Sequence, residues 1–395
     1  MSRTTRRLAG LPASATVALT DRIAALRAAG EQVYDLAGGD PCFDTPVHIR
    51  EAAVRSLAAG RTHYGPSRGI PELRAAVAAR LHERGIERDP ATDIVITPSA
   101  KYALALALCA LIEPGDEVLI PSPGWVSYQP LVELCGGRPV PVELDSAAGF
   151  RLSGAELRRL ATARTKAVLV NSPANPTGRV LDEAEVAAVA DFAAEHDAVI
   201  ISDEVYQRIL FCAGYRSPAE LLPDRTVVID GVSKAYAMTG WRLGWLAGPG
   251  DIVAAALTVQ QHSVSCAATF VQDAALAALT GPQDAVAEMA AFYRAQRDAL
   301  IERLHGVPGI SLTAPEGAFY AFADVRGTGM QSAAFASWLL EKTGVAVVPG
   351  ASFGAAGEGH VRISLAVGAP EFDVAVSRLA GALTCESRLR GRSTA

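Results

Sequence analysis

The sequence predicts an α/β fold with a mostly parallel central sheet covered by helices, joined to a smaller α+β domain. Three observations carry this. Apolar runs alternate with helical segments through the middle of the chain, as in "DIVIT" (93–97), "EVLIP" (117–121), "KAVLVN" (166–171) and "TVVID" (226–230). These runs are apolar at almost every position, as strands covered on both faces must be. After about residue 285 the rhythm changes to longer helices and fewer strands.

The elements follow in order. An arginine-bearing arm leads to a helix over 16–29 and a short strand in "VYDLA". "TPVHIREAAVRSLAAG" reads as a helix with Thr45 as N-cap, Pro46 at N1 and Gly60 past its end, and "PELRAAVAARLHERG" repeats the scheme with Pro71 and Gly85. Strand and helix then alternate: 93–97, helix 100–112, 117–121, helix 125–135, "RPVPVEL" (138–144), 166–171, helix 181–196, "AVIISDE" (198–204), 226–230, "RLGWLAG" (242–248) and helix 250–263. The final part holds a polar helix (287–305), "AFYAFADV", helix 331–343, "VAVVP", "HVRISLA" and helix 370–384, with the tail "SRLRGRSTA" expected to fray. The implied division is an arm and part of the small domain at 1–45, a large domain at 46–285 and a small C-terminal domain at 286–395.

Composition excludes several function classes. A chain of 395 residues with 50% hydrophobic and 20% charged residues has ample core and is neither disordered nor fibrous. Its net charge of −6 argues against nucleic acid or an anionic membrane as partner, since both need clustered positive charge. The six cysteines include no C-x-x-C pair, which suggests neither a zinc knuckle nor a disulfide framework and fits a reducing cytoplasm. The longest apolar stretch, Tyr102 to Ile112, is too short to cross a bilayer, and the N-terminal arm lacks the apolar core of a signal peptide. "GASFG" (350–354) matches a nucleophile-elbow pattern, but the glycine-rich "AAGEGH" after it cannot start the helix that an elbow requires. The seven histidines show no paired metal spacing, and neither a P-loop nor G-x-G-x-x-G is present.

What remains is a set of polar residues at strand ends, where ligands of parallel sheets gather. "TPSAKYAL" (97–104), "NSPANPTG" (171–178), "SDEVY" (202–206) and "GVSKAYAMTGWRLGW" (231–245) each adjoin an apolar strand. Singly, each polar residue has a structural use: Asp203 could cap a helix, Asn175 could brace a turn and Trp125 could be core. Together they are the set that pyridoxal phosphate requires. Lys234 would bind the aldehyde as an imine and then serve as a base. Asp203 would keep the pyridine nitrogen protonated, since an opposite charge at close range favours the charged form. Tyr206 and Asn175 would donate to the ring oxygen. Arg242, Ser233 and the helix N-terminus at Ser99, Ala100 and Lys101 would hold the phosphate. Trp125 offers a plane to cover the ring. Arg362 would grip a substrate α-carboxylate from the small domain.

At this point the chain resembles, over nearly its whole length, the fold-type-I pyridoxal-phosphate-dependent aminotransferases of the aspartate aminotransferase family. The bacterial aspartate/prephenate subgroup is nearest, through "PASATVAL", "GGDPCFDTP", "YGPSRGIPELR", "EPGDEVLIPSPGWVSY", "NSPANPTG", "SDEVY", "SKAYAMTGWRLGW" and "VRISLA". The resemblance implies a homodimer with shared active sites, in which Tyr64 reaches the neighbouring subunit's phosphate and the Gly39 backbone helps hold the substrate carboxylate. It also implies that Lys101, with Ser14 and Thr16 of the arm, binds the distal carboxylate of a dicarboxylic substrate; the alternative for Lys101 is that it only shapes the phosphate turn. The sequence departs from the pattern at Ser99 and Ala100 where relatives carry a glycine pair, at Pro12 and Ala13 in the arm, and at Cys42 where an acid is common, and these departures bear on substrate identity.

The expected reaction is transfer of an amino group from an L-amino acid, acidic first and aromatic or prephenate-like behind, to a 2-oxo acid such as 2-oxoglutarate by a ping-pong mechanism. Two rivals stay open. One uses the same cofactor for β/γ-elimination, replacement or ring formation, as on an S-adenosylmethionine-type substrate. The other is a non-catalytic regulatory domain, weakened by the lack of a basic helix-turn-helix segment.

Overall fold

The computed structural model describes residues 15–393 together with Leu8 and Leu11. Its strands in chain order are β1 (Tyr34–Asp35), β2 (Ile94–Thr97), β3 (Glu117–Ser122), β4 (Arg138–Glu143), β5 (Thr165–Asn171), β6 (Val199–Asp203), β7 (Thr226–Gly231), β8 (Gly244–Ala247), β9 (Ser311–Leu312), β10 (Tyr320–Asp324), β11 (Val345–Ala346), β12 (Val348–Pro349) and β13 (His360–Ser364). Seven form one sheet in the order β2-β8-β7-β6-β5-β3-β4. All its pairings are parallel except the two made by β8. The largely apolar strands are buried for the reason their composition gives: helices cover both faces, so no alternation with polar residues is needed.

A second sheet, β12-β13-β10-β9, is antiparallel and belongs to the C-terminal part of the chain. The N-terminal segment joins it. β1 pairs in parallel with β11, and Ile23, Val33 and Ala37 share a core with Phe322, Leu340, Ala346 and Phe353. The site therefore lies where the two ends of the chain meet the carboxyl edge of the seven-stranded sheet.

Helix ends follow the sequence closely. The helix expected at 250–263 spans Gly250–Ser263, and that expected at 100–112 spans Ala100–Leu111. Three readings differ. Thr45 does not cap its helix, which starts at Val47 without a side-chain cap; its hydroxyl instead donates to Ala237 O at 2.6 Å and accepts from Trp241 Nε1 at 2.9 Å. Thr45 thus clamps the loop that carries Lys234. The helix expected from residue 125 starts at Tyr128, which leaves Trp125 in the loop before it. The tail expected to fray continues the last helix, Ala369–Ser393, and its last two positions lie outside the described residues. "GASFG" forms a short 3-10 turn, not an elbow.

Candidate active site

One cavity of about 310 Å³ opens at the carboxyl ends of β5, β6 and β7. It is in the size range of small-ligand sites. Of the residues expected there, Thr16, Gly39, Ser99, Ala100, Lys101, Trp125, Asn175, Asp203, Tyr206, Ser233, Lys234, Arg242 and Arg362 all line it. Two do not meet it. Ser14 lies outside the described residues, and Tyr64, 89% exposed, sits in a surface hollow with His63 and Thr269.

At one end is an anion cradle. Helix Ala100–Leu111 begins at Ser99, whose hydroxyl accepts from Tyr102 N, and the first N–H groups of any helix lack an intrahelical partner. The helix can abut the sheet because two facing residues are glycines: Gly231 and Gly244 are cross-strand partners on β7 and β8, and a Cβ on Gly244 would come within 2.3 Å of Ala100 N. Lys101, Lys234 and Arg242 lie close together here. The Lys101 pKa is lowered, first by burial and then by the charges of Arg242 and Lys234. Three converging cations form a site for an anion. Ser99 and Arg242 both take positive φ (104° and 55°), so the backbone is strained at this end of the cavity.

At the other end is a buried carboxylate. Asp203 ends β6 and accepts from Tyr128 OH at 2.8 Å and from Val205 N at 3.3 Å. Burial raises its pKa from the ordinary 3.8 to about 6, against the lowering effect of these hydrogen bonds. Behind it, Glu204 is fully buried and paired with Arg84, and Asp230, also buried, has its pKa pushed up to about 8. The carboxylate facing the cavity is thus short of a cation, whereas its neighbour Glu204 has one.

Between the two ends, Lys234 Nζ donates to Gly39 O at 2.6 Å and lies 6.0 Å from the Tyr206 ring centre. Lys101 Nζ is 4.7 Å from the centre of the Trp125 ring. Tyr206 OH is 3.2 Å from Tyr320 OH, and burial drives the Tyr206 pKa well above its ordinary value. Arg362 on β13 is 3% exposed, donates to Asn175 Oδ1 at 3.0 Å and to Ala37 O at 2.6 Å, and lies over the Tyr320 ring at 4.2 Å. Because Arg362 takes the Asn175 oxygen, the amide nitrogen of Asn175 is left as a donor. Arg362 Nε is buried with no hydrogen-bond partner among the described residues, which is costly unless a ligand's acceptor completes it.

Sequence reasoning missed Tyr128, Asn171 and Tyr320, all of which line the cavity. Asn171 is the β5 partner of Asp203; it donates to Asp203 O at 2.9 Å and accepts from Asn175 N at 2.8 Å. Its signal was available, a polar residue closing an apolar strand. Tyr128 stands one helical turn after Trp125 in "WVSY", and Tyr320 opens β10.

The chain is similar over most of its length to known proteins. Residues 31–379 match the family described as aminotransferase class I and II. The chain is 41% identical to an aspartate aminotransferase of Musicola paradisiaca, over 94% of both chains, and 43% identical to an aspartate/prephenate aminotransferase of Cereibacter sphaeroides, over 88% of this chain and 90% of that one. The solved aspartate aminotransferase of Thermus thermophilus with maleate superposes with a TM-score of 0.92 at 40% identity, covering 96% of this chain and 99% of the other. With a family match and relatives of this identity spanning nearly the whole length, the chain belongs to the aminotransferase class I and II family.

Proposed function

We propose that the protein is a pyridoxal-phosphate-dependent aminotransferase that moves the amino group of an L-amino acid, acidic in the first place, to a 2-oxo acid such as 2-oxoglutarate. The observation that carries this is the convergence in one cavity of an amine (Lys234), an anion cradle (Ser99, Ala100, Lys101, Ser233, Arg242), a buried carboxylate (Asp203) and a buried guanidinium with an open N–H (Arg362). The donor set fits the cofactor end to end: cations for its phosphate, a carboxylate for its ring nitrogen and hydroxyl and amide donors for its ring oxygen. Pyridoxal phosphate supplies there a ring that delocalises the charge left when a substrate's α-proton departs.

The chain's own residues do the rest. Arg362 holds the substrate α-carboxylate bidentately, with Asn175 fixing the guanidinium and Gly39 offering backbone beside it. Lys234, the amine nearest Gly39, would hold the aldehyde of the bound group and would be the base that takes the proton from the substrate α-carbon. Asp203 would keep positive charge on the ring nitrogen of the bound cofactor, and Tyr206 and Asn175 would donate to its ring oxygen. Trp125 bounds one side of the cavity and shields it from water. Lys101 and Thr16 extend the site toward a second substrate carboxylate, and relatives named for aspartate support that choice. Tyr64 and Ser14 complete this reading from a neighbouring subunit and the arm, which makes the working unit a cytoplasmic homodimer. The division at residues 45 and 285 gives a small part that carries Arg362 and a large part that carries Lys234.

Absorbance of the purified protein, titrated with single amino acids while 2-oxo acid is followed, tests the reaction. One 2-oxo acid per site with glutamate or aspartate is expected; product without stoichiometric 2-oxo acid would favour elimination, replacement or ring formation on the same scaffold. Lys234→Ala is expected to abolish borohydride-stable labelling by pyridoxal phosphate, and labelling retained at another lysine would remove Lys234 from its role. Lys101→Ala is expected to raise KM for dicarboxylates about tenfold or more with a smaller effect for alanine, as for loss of a charged hydrogen bond. Equal effects on both would confine Lys101 to the phosphate turn.

A further inference from the structure

Two thiols stand together outside the cavity. Cys109 is on the exposed side of helix Ala100–Leu111, and Cys135 is the C-cap of helix Tyr128–Leu134, half-buried. Their Sγ atoms are 3.3 Å apart although 26 positions separate them in the sequence. The backbone sets this approach. The segments that follow the two helices are tied by Gly115 N–H to Gly136 O (3.3 Å) and Arg138 N–H to Asp116 O (2.7 Å). A disulfide is about 2.05 Å long, so bonding needs only a small side-chain movement. Three other cysteines, Cys42, Cys212 and Cys385, are also exposed and serve as internal controls.

We propose that Cys109 and Cys135 are a reversible modification site that closes to an intramolecular disulfide, with a low-molecular-weight disulfide such as oxidised glutathione as oxidant. The Cys109 thiolate attacks one sulfur of the oxidant, forming a mixed disulfide and releasing one small thiol. The Cys135 thiolate then attacks the Cys109 sulfur and releases the second small thiol. Two protein thiols lose two electrons and two protons, and one small disulfide gains both to become two thiols. The product joins the helix whose first turn is Ala100 and Lys101 to the helix whose first residue, Tyr128, bonds Asp203. Cross-linking limits the unfolded chain, so the closed form is the more heat-stable one. The site does not depend on the reaction assigned above.

The test equilibrates the full-length protein with glutathione buffers of rising oxidised fraction, quenches with acid and alkylating agent, and maps peptides by mass. The expected result is loss of two of the six thiols with no added glutathione mass, a linked peptide pair carrying Cys109 and Cys135, a raised melting temperature, and reversal by a dithiol. Cys135→Ser should instead retain glutathione on Cys109. A stable glutathione adduct on Cys109 in the unaltered protein, a covalent dimer on a non-reducing gel, or modification of Cys42, Cys212 and Cys385 without any 109–135 link would each overturn the proposal.

Discussion

Asp203 ends β6 and Glu117 begins β3, so two buried carboxylates stand at opposite edges of one parallel sheet. Their surroundings differ in kind. Glu117 receives Arg138, Arg164 and Thr162; burial alone would raise its pKa, but these partners hold it below the ordinary 4.5. Asp203 receives one phenol and one backbone N–H, and its pKa rises to about 6. The carboxylate at the amino edge is fully satisfied by the protein, whereas the one at the carboxyl edge has no guanidinium beside it among the described residues. Under the function proposed above, Asp203 is a binding group and Glu117, with two guanidiniums, is a staple.

The largest effect that could break this contrast comes from Asp203→Asn. Loss of the charge is expected to lower kcat/KM by about 10²–10³, the scale of losing a preorganised electrostatic group. The cofactor-free variant should be at least as stable as the parent at pH 8. With its folded pKa above 3.8, Asp203 contributes stability that is full below pH 4 and falls as pH rises through about 6, so the parent carries a strain the amide lacks. Thermal melts of both cofactor-free proteins from pH 5 to 8 check this. A variant markedly less stable at pH 8 would make Asp203 a staple like Glu117.

Tyr128→Phe is a smaller perturbation of the same carboxylate. The hydroxyl favours ionised Asp203, so its removal pushes the pKa higher still. The acid limb of the kcat/KM profile should move to higher pH, with a loss of about tenfold at pH 6 that shrinks toward pH 8. A uniform loss at every pH would show that Tyr128 serves packing against Trp125, whose ring it meets edge-on at 5.3 Å.

The contrast also explains how much could be read before the structure. Strand ends were legible because apolar runs stop where the chemistry starts: Asp203, Lys234 and Asn175 all follow such runs in the sequence. Their supporting partners were not, since those depend on strand order and on contacts between distant segments. Asn171 closes such a run itself, but its bond to Asp203 depends on the β5–β6 register, and Tyr128 reaches Asp203 across 75 positions. Thr45 carried a correct local signal for a helix start and was used for something else, because a tertiary contact 192 positions away competes for the same hydroxyl. Gly231 and Gly244 look like ordinary strand glycines until the helix that needs their missing Cβ atoms is in place.

Glu117→Gln tests the other half of the comparison and should leave catalysis unchanged. Glu117 has no exposure, whereas the Arg138 and Arg164 side chains are 59% and 65% exposed. The amide would set a donor against guanidinium donors, but the arginines can turn to water, so the cost is expected near 1–3 kcal/mol, below that of an enclosed pair. The pH dependence has a definite sign. A carboxylate with a lowered folded pKa contributes stability that is present above pH 4.5 and lost as pH falls through the lower, folded value. Urea unfolding of parent and variant should therefore differ most at pH 7 and converge as the pH drops below 4. A gap that persisted in acid would trace the loss to packing, and the Glu117 staple would then owe little to its charge.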